Sequence, residues 1–313
     1  MASVGLFDLA PSVRSLNPHK KQTREEALLG SPLQKRQFVM DVPIQVEGFA
    51  QAREYIDALL ERSKHTPKPG GLCIAGDGGV GKSFILNDAH RRHPQLDTEI
   101  ARITPLLVAN FEGTPTAGKF LTDMLLQLGQ EPSLIAGKVN KDLRDEFVRA
   151  VAECGTLGIL FDESQHFWLS TKRNADRKAG AFGEYLKQLY DDTSLAFIFT
   201  GTPGLADLFE SDNQIYTRWS GMLKLKAFEF GESFIKLLTA LDQAIPLPEP
   251  AGLTEPKLAE QLHTSTSGNF RLIKRLLAEA VSLAAKDDAK RLDVHYLAKA
   301  HFYIFCGREN PFK

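Results

Sequence analysis

The sequence has few cysteines, no long apolar run and almost no net charge. Its three cysteines, Cys73, Cys154 and Cys306, stand far apart, so we expect neither a disulfide framework nor a zinc knuckle. No run of about 18 apolar residues occurs, and residues 1–15 lack the basic start and apolar core of a signal peptide. We therefore expect no membrane span and a cytoplasmic location, where isolated cysteines stay reduced. The 38 Lys and Arg residues against 39 Asp and Glu give a net charge of −1, which alone does not indicate a nucleic-acid-binding protein.

Short apolar runs that alternate with helical patterns predict an α/β fold. Such runs are typical of a parallel sheet with helices on both faces, and the predicted strands are GLCIAG, PLLVANF, TLGILFD, SLAFIFTG and MLKLKAF. Only helices are predicted afterwards, at about 231–243, 254–265, 268–285 and 293–303. The expected parts are an extended N-terminal arm (1–45, with one helix near 22–29), an α/β domain (46–230), a small all-helical lid domain (231–305) and a C-terminal tail (306–313).

A glycine-rich loop follows the first predicted strand and precedes a helix. It reads Gly76, Asp77, Gly78, Gly79, Val80, Gly81, Lys82, Ser83 and matches the phosphate-loop pattern G-x-x-x-x-G-K-[ST] in full. Glycines let the backbone N–H groups converge on phosphate oxygens, and the helix presents its positive end to them. Lys82 is expected to reach the β- and γ-phosphates and Ser83 to bind Mg²⁺. With the next residue, Phe84, these residues form the predicted ATP site.

Two acidic residues end the apolar run GILF. Asp162 is expected to hold the Mg²⁺ shell and Glu163 to deprotonate the attacking water. A strand that ends in Asp-Glu is common, but its position about 80 residues after a phosphate loop makes the pair significant. A nucleotide switch or a small-molecule kinase needs no water-activating Glu there, so the pair favours a hydrolase.

Three further residues fit an ATPase that works beside a neighbouring subunit. Thr202, favoured over Thr200, follows a buried strand where a γ-phosphate sensor is expected. Arg218 precedes the last strand, where an arginine finger reaches a neighbour's ATP, and Arg271 starts a helix of the small domain as a second sensor. For both arginines an ordinary surface ion pair is the alternative. Their order along the chain, more than any one of them, supports the ATPase interpretation.

With these motifs the sequence resembles the AAA+ ATPases, and more closely the TniB/TnsC-type transposition ATPases. The resemblance covers residues 46–290 and includes GDGGVGKSFIL, FDESQHF and FTGTPGLADLFESDNQIYTRW. It implies ATP and Mg²⁺ as cofactors and assembly as a ring or helical filament on double-stranded DNA. It also implies recruitment of a DDE transposase, with disassembly on hydrolysis and a possible target-selection adaptor of the TniQ type. Lys82, Ser83, Asp162, Glu163, Thr202 and Arg218 match family motifs, and Arg271 matches less closely.

Loops that face the pore in related rings supply the candidate DNA contacts. They hold Thr116, Lys119, Lys138 and Lys141, and the basic run that begins with Lys172 and Arg173 is a second candidate. An ordinary solvated loop is the alternative for that run. No base-reading motif is evident, so any DNA binding is expected to be independent of sequence.

Three other functions are alternatives to the transposition regulator. A helicase loader or replication initiator of the same superfamily usually appends a winged-helix domain, and the helical domain already occupies the residues after the last strand. An ATPase of an envelope or secretion machine predicts a membrane segment or a periplasmic domain. A small-molecule kinase leaves Glu163 and Arg218 without a role.

Overall fold

Five parallel strands form the central sheet of the protein, whose computed structural model describes residues 23–44, 47–99, 101–111, 115–168 and 180–313. The strands are β1 (Gly71–Gly76), β4 (Leu106–Ala109), β5 (Gly158–Phe161), β6 (Ala196–Gly201) and β7 (Gly221–Leu225). Their order across the sheet is β4-β5-β6-β1-β7, and every pair is parallel. A separate antiparallel hairpin joins β2 (Leu96–Asp97) to β3 (Arg102–Ile103). The predicted P-loop sheet and all five of its strands are confirmed.

The sheet separates two hydrophobic cores, because alternate residues of each strand point to opposite faces. Leu72 and Ile74 of β1 belong to one core, which also contains the C-terminal helices. Cys73 and Ala75 belong to the other, which is rich in aromatic residues. Burial on both faces explains why these strands read as continuous apolar runs rather than as an alternating pattern.

Helices cover both faces of the sheet, as the sequence predicts. Up to β7 they are α3 (Glu47–Ser63), α4 (Lys82–Arg92), α5 (Ala117–Gln127), α6 (Pro132–Ile135), α7 (Asn140–Glu153), α8 (Gln165–Trp168), α9 (Gly180–Asp192), α10 (Pro203–Ser211) and α11 (Asn213–Arg218). After β7 come α12 (Glu232–Ala244), α13 (Pro256–Thr266), α14 (Phe270–Lys286) and α15 (Val294–Ile304). In the described part of the chain, no helix combines the length and apolar character needed to cross a membrane.

The helical lid is fixed to the rest of the molecule by a shared core. Residues of α12, α13 and α14 pack in the same cluster as α3 and one face of the sheet. The C-terminal residues also pack against the lid: Phe312 is buried, and Gln261 donates a hydrogen bond to the carbonyl of Pro311 (2.6 Å). The tail predicted for residues 306–313 is therefore a docked segment.

The helix expected near 22–29 is present, whereas the expectation of an extended N-terminal arm is wrong for residues 32–41. The two helices here are α1 (Arg24–Leu28) and α2 (Pro32–Asp41), and α2 packs on α14. Each begins with a capping box, Thr23 with Glu26 and Ser31 with Gln34, which satisfies the free N–H groups of the first turn. The sequence pattern did not predict α2, because this helix buries only Phe38 and Val39, too few residues for a clear helical period.

Candidate functional site

The phosphate loop has the backbone geometry that its glycines predict. It joins β1 to α4, and Gly79 and Gly81 have φ angles of 83° and 112°. A side chain at Gly81 is also excluded by space, because a Cβ there would lie 2.4 Å from the Phe49 ring. Val80 is buried and anchors the loop, while the N-terminus of α4 opens into it. The loop is thus shaped to present successive N–H groups to an anion.

Lys82 is buried and reaches back over the loop. Its Nζ donates hydrogen bonds to the carbonyls of Gly76 (2.7 Å) and Asp77 (2.8 Å). Burial lowers the pKa of Lys82, while the nearby carboxylates of Glu163 and Asp162 oppose that shift. Because these carboxylates are close enough to act on the pKa of Lys82, the predicted phosphate-binding lysine and the predicted acidic pair belong to one site.

Asp162 and Glu163 follow β5, at the same edge of the sheet as the phosphate loop. Asp162 Oδ1 accepts hydrogen bonds from the Thr200 hydroxyl and from the backbone N–H of Glu163 (2.9 Å). Glu163 has a left-handed φ of 52°, rare for a residue with a side chain, and its carboxylate accepts a hydrogen bond from Gln165. The acidic pair is therefore held by β6 on one side and by α8 on the other.

Thr200 lies in β6 and Thr202 directly after it, and the two side chains have different surroundings. Thr200 is buried and touches Asp162. Thr202, the favoured sensor, is an exposed N-cap residue of α10 whose side chain makes no capping hydrogen bond. The contact with the acidic pair thus belongs to Thr200, and the sensor role of Thr202 stays a prediction.

The first residues of α14 contact the phosphate loop directly. The backbone N–H of Arg271 donates to the Gly79 carbonyl (2.8 Å), and Asn269 Nδ2 donates to the Gly78 carbonyl (2.7 Å). Arg271 is close enough to Lys82 for its positive charge to lower the lysine pKa. Below them Phe49, Phe84 and Phe270 pack ring against ring at 5.1 to 5.4 Å. The lid is thereby coupled to the loop by hydrogen bonds and by an aromatic cluster.

Arg218 lies at the other edge of the sheet. Its guanidinium binds Asp191 through two nitrogens (2.6 and 3.3 Å) and donates to the Gln214 carbonyl (3.1 Å). Lys68 contacts the same carboxylate (3.4 Å), and the guanidinium of Arg218 lowers the pKa of Asp191. Because β1 and β7 are parallel, about 13 Å of strand separates Arg218 from the phosphate loop of its own subunit.

The described DNA candidates come from two adjoining turns. The hydroxyl of Thr116 caps α5 by accepting from the Lys119 N–H (3.3 Å), and both side chains are exposed. A Cβ on Gly118 would lie 2.7 Å from Asn140 Oδ1, so the start of α5 is next to the start of α7, where Lys141 is exposed. Lys138 pairs with Glu146 (3.5 Å). Lys172 and Arg173 lie outside the described residues.

The donor set fits a magnesium ion that arrives with a nucleotide. Mg²⁺ is usually held by one or two protein oxygens together with phosphates and water, and Ser83 and Asp162 supply such hard oxygens beside the loop. The described residues contain no group of three His, Cys, Asp or Glu side chains that could hold a metal alone.

Sequence reasoning missed Gln165 and Asn269, which lie beside the acidic pair and the phosphate loop, and Asp191, which binds Arg218. Asn269 carried a local signal, since it stands directly before the predicted helix as an N-cap residue does. Gln165 and Asp191 carried no such signal. The contact of Gln165 with Glu163 depends on the turn after β5, and that of Asp191 with Arg218 depends on how two helices pack.

Comparison with known proteins adds the family to this geometry. The model for the bacterial TniB protein family matches residues 40–229, more than half of the chain. The chain belongs to the TniB family. A comparison with curated proteins gave no match.

Solved structures confirm the fold of this TniB family member. The ORC1 protein of Aeropyrum pernix in complex with DNA has a TM-score of 0.59 at 14% identity, covering 90% of this chain and 69% of that one. The ORC2 protein of the same organism, in ADPNP–ADP complexes, has 0.57 at 16% identity, covering 84% and 68%. ORC of Drosophila bound to DNA has 0.54 at 14%, covering 98% and 71%. The protein is an AAA+ ATPase by fold and family.

Proposed function

We propose that this protein is a cytoplasmic, ATP-dependent regulator of DNA transposition. It assembles on double-stranded target DNA as a ring or helical filament, recruits a DDE transposase, with a TniQ-type adaptor for target selection, and disassembles when ATP is hydrolysed. The observation that carries the proposal is the division of the ATP-handling groups between opposite edges of the sheet. Phosphate loop and acidic pair lie at one edge and Arg218 at the other, so Arg218 serves the ATP of a neighbour.

Hydrolysis uses this chain's residues in distinct roles. The loop from Gly76 to Gly81 and Lys82 bind the phosphates, and Glu163 accepts a proton from the attacking water. The water oxygen bonds to the γ-phosphorus as its bond to the bridging oxygen breaks, and ADP leaves. Ser83 and Asp162 would hold a Mg²⁺ ion, which would supply positive charge beside the phosphates. Thr202 and Arg271 sense the γ-phosphate, and the neighbour's copy of Arg218 stabilises the charge that develops in the transition state.

DNA binding follows from assembly rather than from the single subunit. Each subunit offers few cations, foremost Lys119 and then Thr116, Lys138 and Lys141, with Lys172 and Arg173 as a further pair. A ring or filament multiplies these contacts, and phosphate neutralisation dominates binding that ignores sequence. The DNA complexes of ORC1 and of Drosophila ORC support this use of the fold. The likeness to those initiators is one of fold, and the TniB family match favours transposition over initiation.

The test is electron microscopy of the protein with duplex DNA, with and without a non-hydrolysable ATP analogue. We expect rings or filaments on DNA only with the analogue, and none for Lys82→Ala, which loses the ammonium that binds the phosphates. The transposase should raise ATP turnover and remove the assemblies when ATP replaces the analogue. Assemblies that form equally without nucleotide, or that ignore the transposase, would overturn the proposal.

A further inference from the structure

Gln165 makes an unusual pair of contacts beside the acidic pair. Its Nε2 donates a hydrogen bond to Glu163 Oε2, the carboxylate two residues earlier in the chain. Its other amide atom, Oε1, is buried and has no hydrogen-bond partner among the described residues. Leaving a buried acceptor unpaired costs about 1–3 kcal/mol, so this orientation of the amide has an energetic cost that packing alone does not explain.

The unpartnered oxygen faces the end of β6. A Cβ on Gly201, the last residue of that strand, would lie 2.9 Å from Gln165 Oε1. The backbone just before Gln165 is tied to the same strand, because the Ser164 N–H donates to the Thr200 carbonyl (2.7 Å). Gln165 therefore stands between the strand that leads to the proposed sensor Thr202 and the carboxylate of Glu163.

The hydrogen bond from Gln165 holds the Glu163 carboxylate in one position. Glu163 is exposed, so little packing restricts its rotamer and the hydrogen bond from Gln165 can fix it. In the position that Gln165 holds, its charge is the largest of those that raise the pKa of Lys82, ahead of that of Asp162. The carboxylate is thus close enough to Lys82 to act on its charge.

We propose that Gln165 is the positioning residue of the water-activating carboxylate. Its amide N–H donates to Glu163 Oε2, which leaves Glu163 Oε1 to accept the proton of the attacking water. Its amide oxygen against Gly201 couples that orientation to the end of β6. The inference rests on the proposed role of Glu163 and extends it, since a base that must sit within hydrogen-bond reach of one water gains from a fixed rotamer.

The experiment compares ATP turnover and ATP binding in four variants. Gln165→Ala removes the amide, and Gln165→Glu keeps its size but replaces the donor with a carboxylate. We expect both to lower kcat roughly tenfold to a hundredfold, the size of a small misplacement of a catalytic group, with ATP affinity unchanged. Gln243→Ala, the same truncation at an exposed site on α12, should turn over as the wild type does. Glu163→Gln should abolish turnover and keep ATP binding.

The outcomes separate this inference from the proposed function. An active wild type with inactive Glu163→Gln and normal kcat in both Gln165 variants refutes the positioning role alone. Full turnover in Glu163→Gln refutes the proposed base and with it the inference. A loss of ATP affinity in both Gln165 variants that matches the loss of kcat would assign Gln165 a structural role. A fluorescent ATP analogue measures the affinity, and the thermal unfolding midpoint checks that each variant is folded.

Discussion

Lys274 is a buried lysine where α14 meets the end of α2 and the start of α4. It is 3% exposed, and its Nζ donates to the Val42 carbonyl (3.0 Å) and lies over the rings of Phe84 (5.1 Å) and Phe270 (5.5 Å). Burial lowers the pKa of Lys274 to about 7, with the carboxylate of Asp41 opposing this shift and Arg91 adding to it. A side chain whose charge changes near pH 7 therefore lies against Phe84, the residue that follows Ser83.

This lysine should make stability rise with pH. In the unfolded chain its pKa is about 10.4, so between pH 7 and 10 the unfolded state holds a proton that the folded state lacks. The free energy of unfolding then increases with pH, by up to about 1.4 kcal/mol per unit, and the effect ends below pH 7 where both states are protonated.

Urea unfolding at several pH values from 7 to 9.5 measures this slope. Lys274→Met should remove it, and Lys286→Met, an exposed lysine on the same helix, should keep it. If Lys274→Met retains the wild-type slope, another group is responsible.

Among the elements, α14 contacts the phosphate loop directly through Asn269 and Arg271. Its 17 residues begin at the loop, with Asn269 as N-cap, and run through the lid core to Lys286. On its way α14 packs against α2, where Arg36 of α2 pairs with Glu279 (3.1 Å). By these contacts α14 connects the phosphate loop to both the lid and the N-terminal helices.

The close fit at Gly79 gives a test of this coupling. Gly79 has a left-handed φ of 83°, and a Cβ there would lie 2.5 Å from Asn269 Oδ1. Gly79→Ala should lower the free energy of unfolding by about 1–3 kcal/mol, from backbone strain plus displacement of the helix start. Gly78→Ala is the control, because open space surrounds that position and its φ is not in the left-handed range. Equal destabilisation by both changes would contradict a tight contact at Gly79.

The elements with strong periods were predictable, and α2, which has a cap but no clear period, was not. The helix predicted over 47–63 and the strand over 71–76 agree with α3 and β1 to the residue. Of the two N-terminal helices, α1 was expected near 22–29 and α2 was missed, although its capping box is legible in the sequence. Stabilisation of short helices comes from tertiary packing, here of α2 on α14, and a local pattern does not report such packing.

At the scale of the whole molecule, the net charge and the position of Arg218 are both consistent with the proposed assembly of subunits. The net charge is −1, and Arg218 is remote from the phosphate loop of its own subunit. Asp191 pairs with Arg218 and Lys68 and compensates both positive charges, and under the proposed function a neighbour's triphosphate would compete with it for Arg218.

Arg218→Ala should leave ATP binding intact and remove the hydrolysis that depends on assembly, by roughly a thousandfold, the size expected for an arginine finger. Turnover measured against protein concentration, in the presence of DNA, tests this result. Arg149→Ala, which breaks the exposed pair with Glu146 (2.7 Å), is the matched control and should assemble and hydrolyse normally. Turnover that stays dependent on concentration in Arg218→Ala would place the finger elsewhere.

The sequence alone determined the parts of this protein: the phosphate loop, the acidic pair, the five strands and the succession of an α/β and a helical region. These features depend on residues close together in the chain, whose spacing follows from backbone geometry. The tertiary structure decided how the parts meet: Thr200 on Asp162, Gln165 between Glu163 and β6, Lys274 under the aromatic cluster, and Arg218 at the edge away from its own loop. Such contacts depend on the register of strands and the docking of helices, which burial of the whole core sets and no local pattern encodes.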